Sequence, residues 1–171
     1  MTTAPTIETE RLVLRQPRAS DLAAYTAFIM SDRACFVGRE HSRFSAWKCF
    51  SAEAGHWMLH GYGPWAVTLK GAEETVGQVG VWQPEEFPER ELRWLIWDDA
   101  EGKGIAYEAA LAARDFDYRV HGTRTLVSYI SADNARSIRL AERLGAHLDK
   151  DAHPLDPNGL VYRHPGPEAL S

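Results

Sequence analysis

Residues 94–110, Trp-Leu-Ile-Trp-Asp-Asp-Ala-Glu-Gly-Lys-Gly-Ile-Ala-Tyr-Glu-Ala-Ala, constrain this chain more than any other stretch. A strand-like apolar run passes into two glycines separated by one lysine, and then into a helical pattern. In such a unit the backbone N–H groups at the helix start turn toward a ligand, and their partial positive charge favours an anion such as a pyrophosphate. Gly102, Gly104 and the small Ala106 keep that approach open. Two familiar phosphate loops are excluded by single residues. A Walker-type loop, and with it an ATP-dependent regulator, requires Ser or Thr directly after Gly-Lys, where Gly104 stands; a dinucleotide fingerprint requires Gly at position 107, where Tyr107 stands. Taken alone, the unit is equally a tight turn opening a helix.

The periodicity on either side places this unit in a larger order. Leu12-Val13-Leu14 between Arg11 and Arg15 reads as a strand stopped by Pro17. Leu22, Tyr25, Phe28 and Ile29 fall at helical spacing, with Ser20 and Asp21 supplying polar groups for the first turn. A second helix is expected from about Ser45, with Trp47, Phe50, Ala54, Trp57 and Met58 as its stripe and Gly61 as its end. The period then changes to two over residues 65–69, 75–82 and 91–97, a three-strand antiparallel meander. After residue 104 the pattern is helix, strand (125–130), helix (137–144, ended by Gly145) and a last strand. The order β-α-α-β-β-β-α-β-α-β predicts an α/β (α+β) fold: a mixed, mostly antiparallel central sheet with helices on both faces.

Composition fits one domain over residues 1–171, since 44% hydrophobic residues in a chain of this length support a core without disulfides or a structural metal. Nineteen basic against twenty-four acidic residues give a net charge of −5, and no basic block stands out, so nucleic acid is not the expected partner. The longest apolar run, Ala109 to Ala113, is too short for a membrane span, and residues 1–5 carry no basic, apolar leader, so a cytoplasmic protein without a membrane is expected. Cys35 and Cys49 lack metal or redox spacing and are expected to be buried or half-buried apolar residues. His56 and His60 share a helix face without an adjacent Glu, which reads as packing and not as a metal site.

A second stretch, Asp133-Asn134-Ala135-Arg136-Ser137-Ile138-Arg139-Leu140-Ala141-Glu142-Arg143-Leu144-Gly145-Ala146, follows the strand at 126–130. Together with Thr9-Glu10-Arg11-Leu12-Val13-Leu14-Arg15, Gly61-Tyr62-Gly63-Pro64-Trp65-Ala66-Val67 and Val76-Gly77-Gln78-Val79-Gly80-Val81, it resembles the GNAT superfamily of acetyl-CoA-dependent N-acetyltransferases, in particular the RimJ/RimL-like branch. The likeness covers about residues 9–146, with four motifs in the family's order. It implies a sheet with a splayed strand pair and bound acetyl-CoA, with no metal. The pyrophosphate would lie on the amides of Gly102, Lys103, Gly104, Ile105, Ala106 and Tyr107, and the pantetheine arm along Leu95, Ile96 and Trp97. Asn134 would contact the arm, unless it only caps its helix, and Ser137 would lie nearest the sulfur. The expected acceptor is a protein N-terminal α-amino group or a small-molecule amine, and a homodimer is compatible with the reading.

Transfer to an amine requires a base, an oxyanion donor and a group for the leaving thiolate. Glu91 leads as base, with Tyr107 and His41 behind it; a backbone N–H of residues 95–97 serves the oxyanion and Ser137 the thiolate. Phe36, His41, Phe44, Trp47, Trp57 and Tyr62 are the expected acceptor wall. Two departures from the family stand out. Glu101 replaces the usual Gln or Arg and sets a carboxylate beside a pyrophosphate, unless it faces solvent or pairs with Lys103; Ala141 replaces the acid Tyr that many relatives carry. These departures motivate the alternative, a non-catalytic acyl-CoA-binding sensor or interaction module.

Overall fold

The computed structural model describes residues 3–38 and 41–170. In chain order it contains β1 (Ile7–Glu8), β2 (Leu12–Arg15), α1 (Leu22–Ile29), α2 (Arg43–His60), β3 (Pro64–Leu69), β4 (Thr75–Trp82) and β5 (Glu91–Ile96). These are followed by α3 (Ile105–His121), β6 (Val127–Ser131), α4 (Ala135–Arg143), β7 (His147–Leu148) and β8 (Gly159–Arg163). The described strands form one sheet in the order β1-β2-β3-β4-β5-β6-β8-β7. Every neighbouring pair is antiparallel except β5 and β6. The expected mixed sheet and helical layers are present; the two-residue strands β1 and β7 are additions, too short to show a period in sequence.

Alternation along β5 assigns the layers. Leu92 is buried with Ile105, Ala109, Ala110 and Ala113 of α3, whereas Leu95, of opposite parity, is buried with Tyr25, Phe28 and Phe50 of α1 and α2. The three alanines of α3 let it lie close on the sheet. The start of α1 is held by a buried fork: Arg15 Nη1 and Nη2 donate to the two Asp21 oxygens, each at 2.8 Å, and Asp21 also accepts Arg18 N.

The inner stripe of α2 differs from the expected one. Ala46, Phe50, Glu53, His56 and Trp57 face inward, while Trp47 and Met58 are more than half exposed. Two polar residues occupy core-facing positions that apolar spacing could not reveal. Cys49 lies off this stripe, and Cys35 sits on a 3-10 turn whose inward residue is Ala34, so both cysteines are exposed and not buried as expected. His56 Nδ1 lies 2.7 Å from Tyr62 O, and its ring packs on His60 at 4.3 Å. Among the described residues no group of three or more His, Cys, Asp or Glu is placed to hold a metal ion, and no helix is long and apolar enough to cross a membrane.

The parallel pair opens almost at once. β5 and β6 share a single register position, Glu91 opposite Val127, where Val127 N donates to Arg90 O at 3.0 Å. The next carbonyl that would continue the ladder, Leu92 O, instead accepts Ser128 Oγ at 2.6 Å. That hydroxyl accepts in turn from His164 Nε2 at 2.9 Å. Burial keeps the His164 imidazole neutral and lowers its pKa to about 3, with help from Arg114. From this point the strands diverge, and the sheet is splayed.

Candidate active site

A cleft of about 1220 Å³ fills the splay and is lined from both sides. One end is built by the loop after β5. Gly102 (φ 73°) and Gly104 (φ 77°) adopt the left-handed conformation open to glycine, and Gly104 caps α3. Arg11 clamps this loop: its Nη1 donates to Lys103 O at 2.9 Å and its Nε to Glu108 Oε2 at 2.7 Å, while its backbone N–H donates to Glu108 Oε1 at 2.9 Å. Partial burial works against ionisation of Glu108, yet the hydrogen bonds from Thr9 and Arg11 prevail and hold its carboxyl below the usual range. Thr9 and Arg11, just ahead of β2, thus fix the glycine loop.

Gly102, Gly104, Ile105, Ala106 and Tyr107 line this end together with Arg33, Arg136, Arg139 and Arg143. The Lys103 ammonium instead turns back to Asp99 O at 2.6 Å. Glu101 pairs not with Lys103 but with two arginines, Arg33 from the turn after α1 and Arg136 from the first turn of α4. Arg33 Nε also reaches Asp98 Oδ1 at 2.8 Å. The carboxylate that the sequence set against a pyrophosphate is therefore neutralised where it stands, and the lining at this end is net positive.

The middle of the cleft is the free edge of β5. Trp97 N donates to Val76 O at 2.9 Å, so by alternation Leu95 also spends its backbone groups on β4. Ile96 and Trp94 turn theirs toward the gap. Of residues 95–97, only Ile96 offers an N–H in that direction; Trp94 is the residue that sequence reasoning missed. Across the gap, Asn134 Oδ1 accepts Ser137 N at 3.2 Å as the α4 cap, and Ser137 Oγ accepts Trp94 Nε1 at 3.2 Å, leaving its own O–H free to donate.

The other end is acidic and aromatic. Glu91 Oε2 accepts Trp82 Nε1 at 2.7 Å. Burial raises the Glu91 carboxyl above the ordinary value, and Arg93 and the Trp82 bond offset only part of that rise. Arg93 lies over the Trp82 ring at 4.7 Å and pairs with Glu53 of α2. The expected acceptor wall is largely corrected. Trp57 and Tyr62 are core residues, Trp57 Nε1 donating to Pro64 O at 2.9 Å; Phe44, Trp47 and His41 are exposed, with His41 Nε2 2.9 Å from Val37 O. Only Phe36 of that set lines the cleft, where it is joined by Tyr25, Phe28, Trp82, Phe87 and Tyr129. Trp82 and Phe87 carry a signal that sequence does show, one aromatic at the end of β4 and one in the loop that leads from it to Glu91.

Comparison with known proteins agrees with this architecture. Residues 11–147 match the family model described as "Acetyltransferase (GNAT) domain". An acetyltransferase crystal structure from Agrobacterium tumefaciens str. C58 is 40% identical with a TM-score of 0.91, over 96% of each chain. The ribosomal-protein-S5-alanine acetyltransferase from Vibrio fischeri, 17% identical over 97% of this chain and 99% of that one, shares the fold with a TM-score of 0.72. The uncharacterized protein YkkB of Bacillus subtilis is 32% identical over 106 residues, 60% of this chain and 62% of YkkB. With four-fifths of its length matched and the cleft laid out along a splayed β5 and β6, the chain belongs to the GNAT acetyltransferase family.

Proposed function

We propose that the protein transfers the acetyl group of acetyl-CoA to a primary amine, either a protein N-terminal α-amino group or a small-molecule amine, by direct attack within a ternary complex. The observation that carries this reading is the polarity of the cleft. Its glycine-loop end presents helix amides and arginines suited to phosphates, and its far end presents Glu91 and Glu53 suited to an ammonium.

Between them runs an unpaired strand edge that can hydrogen-bond the amides of a pantetheine arm as an added strand would. Acetyl-CoA supplies a thioester activated toward nitrogen. The protein's own groups do the rest. Glu91, its pKa raised by burial, takes the proton from the ammonium. Trp94 N–H, at the acceptor end of the open edge, donates to the carbonyl oxygen as charge develops there, and Ile96 N–H serves the arm. Ser137 O–H, oriented by Trp94 Nε1, donates to the departing sulfur.

The sensor reading loses its main support, because Glu101 is already paired with Arg33 and Arg136. The test is thermal unfolding with acetyl-CoA, CoA and ATP, followed by thiol release against an amine panel. A ligand bound only by the folded state raises the melting temperature by mass action. Acetyl-CoA and CoA are expected to raise it and ATP to leave it unchanged; equal shifts with ATP would overturn the assignment, and binding without thiol release would restore the sensor.

A further inference from the structure

Glu53 adds to the negative charge of the acceptor end but takes part in no step of the transfer described above. It lies on the inner face of α2 and is 1% exposed. Its Oε1 accepts Tyr25 Oη at 3.0 Å and pairs with Arg93. Its Oε2 is buried with no hydrogen-bond partner among the described residues, and the side chain forms part of the cleft wall. A carboxylate oxygen kept from water and given no donor is unfavourable, and folded proteins seldom tolerate one without a use for it. An N–H entering the acceptor end relieves it.

The surrounding charges say which N–H. Glu53 and Glu91 face one guanidinium, Arg93, so the three carry a net charge of −1 when both carboxylates are ionised. Farther out, Lys48, whose ammonium lies over the Phe44 ring at 4.9 Å, and Asp156 offset one another. A substrate with one positive charge balances the set. A carboxylate beside the amine would have to enter next to Glu53 and Glu91 and undo that balance.

Resting on the acetyl-transfer reading, we infer that Glu53 determines acceptor specificity: its Oε2 accepts an N–H of the incoming ammonium, and the pocket selects amines that carry no carboxylate next to the nitrogen. The walls of Phe28, Phe36, Phe87 and Tyr129 suit an apolar substituent on that amine. Arylalkylamines and the first residue of a peptide, whose carbonyl is an amide, both belong to this class; free amino acids do not.

Three amines that share a benzyl group test the inference: phenethylamine, phenylalaninamide and phenylalanine. Thiol release at saturating acetyl-CoA is expected to give kcat/KM for the first two at least ten-fold above the third. Glu53→Gln should raise the amine KM at least ten-fold and leave the acetyl-CoA Kd within two-fold. Glu53→Asp keeps the charge one methylene farther back and should fall between, so it decides the matter if the Gln variant does not fold. Phenylalanine equal to or better than phenethylamine, or an amine KM unmoved in both variants, overturns the inference. Calorimetric titration of phenethylamine into each protein separates the two readings. Amine binding lost in Glu53→Gln, with no thiol release by the wild type, overturns acetyl transfer and keeps Glu53; equal binding by both proteins, or none by the wild type, overturns Glu53.

Discussion

Trp82 Nε1 donates to Glu91 Oε2 at 2.7 Å, so the carboxylate at the head of β5 is held against the strand beside it by an indole on β4. The bond orients the proposed base, which the Tyr129 backbone also hydrogen-bonds from β6. Trp82 serves Arg93 as well, through its ring face, and so organises both charges at the acceptor end.

Glu91→Gln is expected to keep acetyl-CoA binding and lose about 10²- to 10⁴-fold in kcat, the range associated with a positioned general base. Because burial raises its pKa, the acid limb of the wild-type kcat/KM profile should fall above the ordinary carboxylate range. Stopped-assay rates from pH 5 to 9 check both. A limb at the ordinary value would remove Glu91 from the role.

Gly104→Glu should abolish acetyl-CoA binding while the fold survives. The substitution forces a side chain into a left-handed backbone at a cost of about 1–2 kcal/mol. It also crowds Arg11 Nη2, 3.3 Å from the new Cβ, and sets a negative charge at the start of α3. Thermal unfolding should show a lower melting temperature that no longer responds to acetyl-CoA. A retained response would move the phosphates elsewhere.

Glu101→Gln is expected to leave acetyl-CoA affinity within two-fold at both low and high salt, because Arg33 and Arg136 already neutralise the carboxylate. An unpaired repulsion at that position would instead be relieved by the substitution and show two- to five-fold tightening at low salt, about 0.5–1 kcal/mol, fading as screening shortens to about 8 Å at physiological ionic strength. Titrations at the two salt concentrations distinguish the cases.

His164 sets an acid limit on stability. Its folded pKa of about 3 lies below the unfolded value near 6.5, so between these values the unfolded chain binds the extra proton. The contribution is complete above about pH 6.5 and is lost as pH falls toward 3, with a slope approaching about 1.4 kcal/mol per unit for one proton. His164→Gln should flatten that slope in urea unfolding at pH 7.5, 6 and 5. Parallel curves for the two proteins would show that the imidazole does not carry it.

Local chemistry was legible in the sequence where one stretch decides its own conformation. β4 spans residues 75–82 as the period predicts, and Gly61 and Gly145 end their helices or the turns after them with φ of 77° and 83°. The glycine loop and the helix bearing Ser137 were legible for the same reason. What escaped depends on partners distant in the chain. Glu101 meets Arg33 and Arg136 across 68 and 35 residues, and no spacing rule links them. The choice of Ile96 and Trp94 over Leu95 and Trp97 rests on which parity β4 takes. Glu53 and His56 escaped because an amphipathic pattern assumes that inward positions are apolar.

The single rung between β5 and β6 makes the sheet behave as tongs. The backbone tie between the two jaws lies at one end, Val127 N on Arg90 O, where Arg163 of β8 is also doubly bonded to Glu89 at 2.8 Å; toward the phosphate end the described contacts across the gap are between side chains, Trp94 with Ser137 and Glu101 with Arg136. The ties at the first end form a pivot beside Glu91, while the jaw of β6, α4 and β8 has no ladder to break at the phosphate end. Local opening free energy is lowest where backbone pairing is sparse, so the entrance can widen for a bulky nucleotide with little displacement at the base. Amide exchange should report this as a gradient along β5, fastest at Ile96 and slowest at Leu92, with mechanical compliance and chemical precision assigned to opposite ends of one strand.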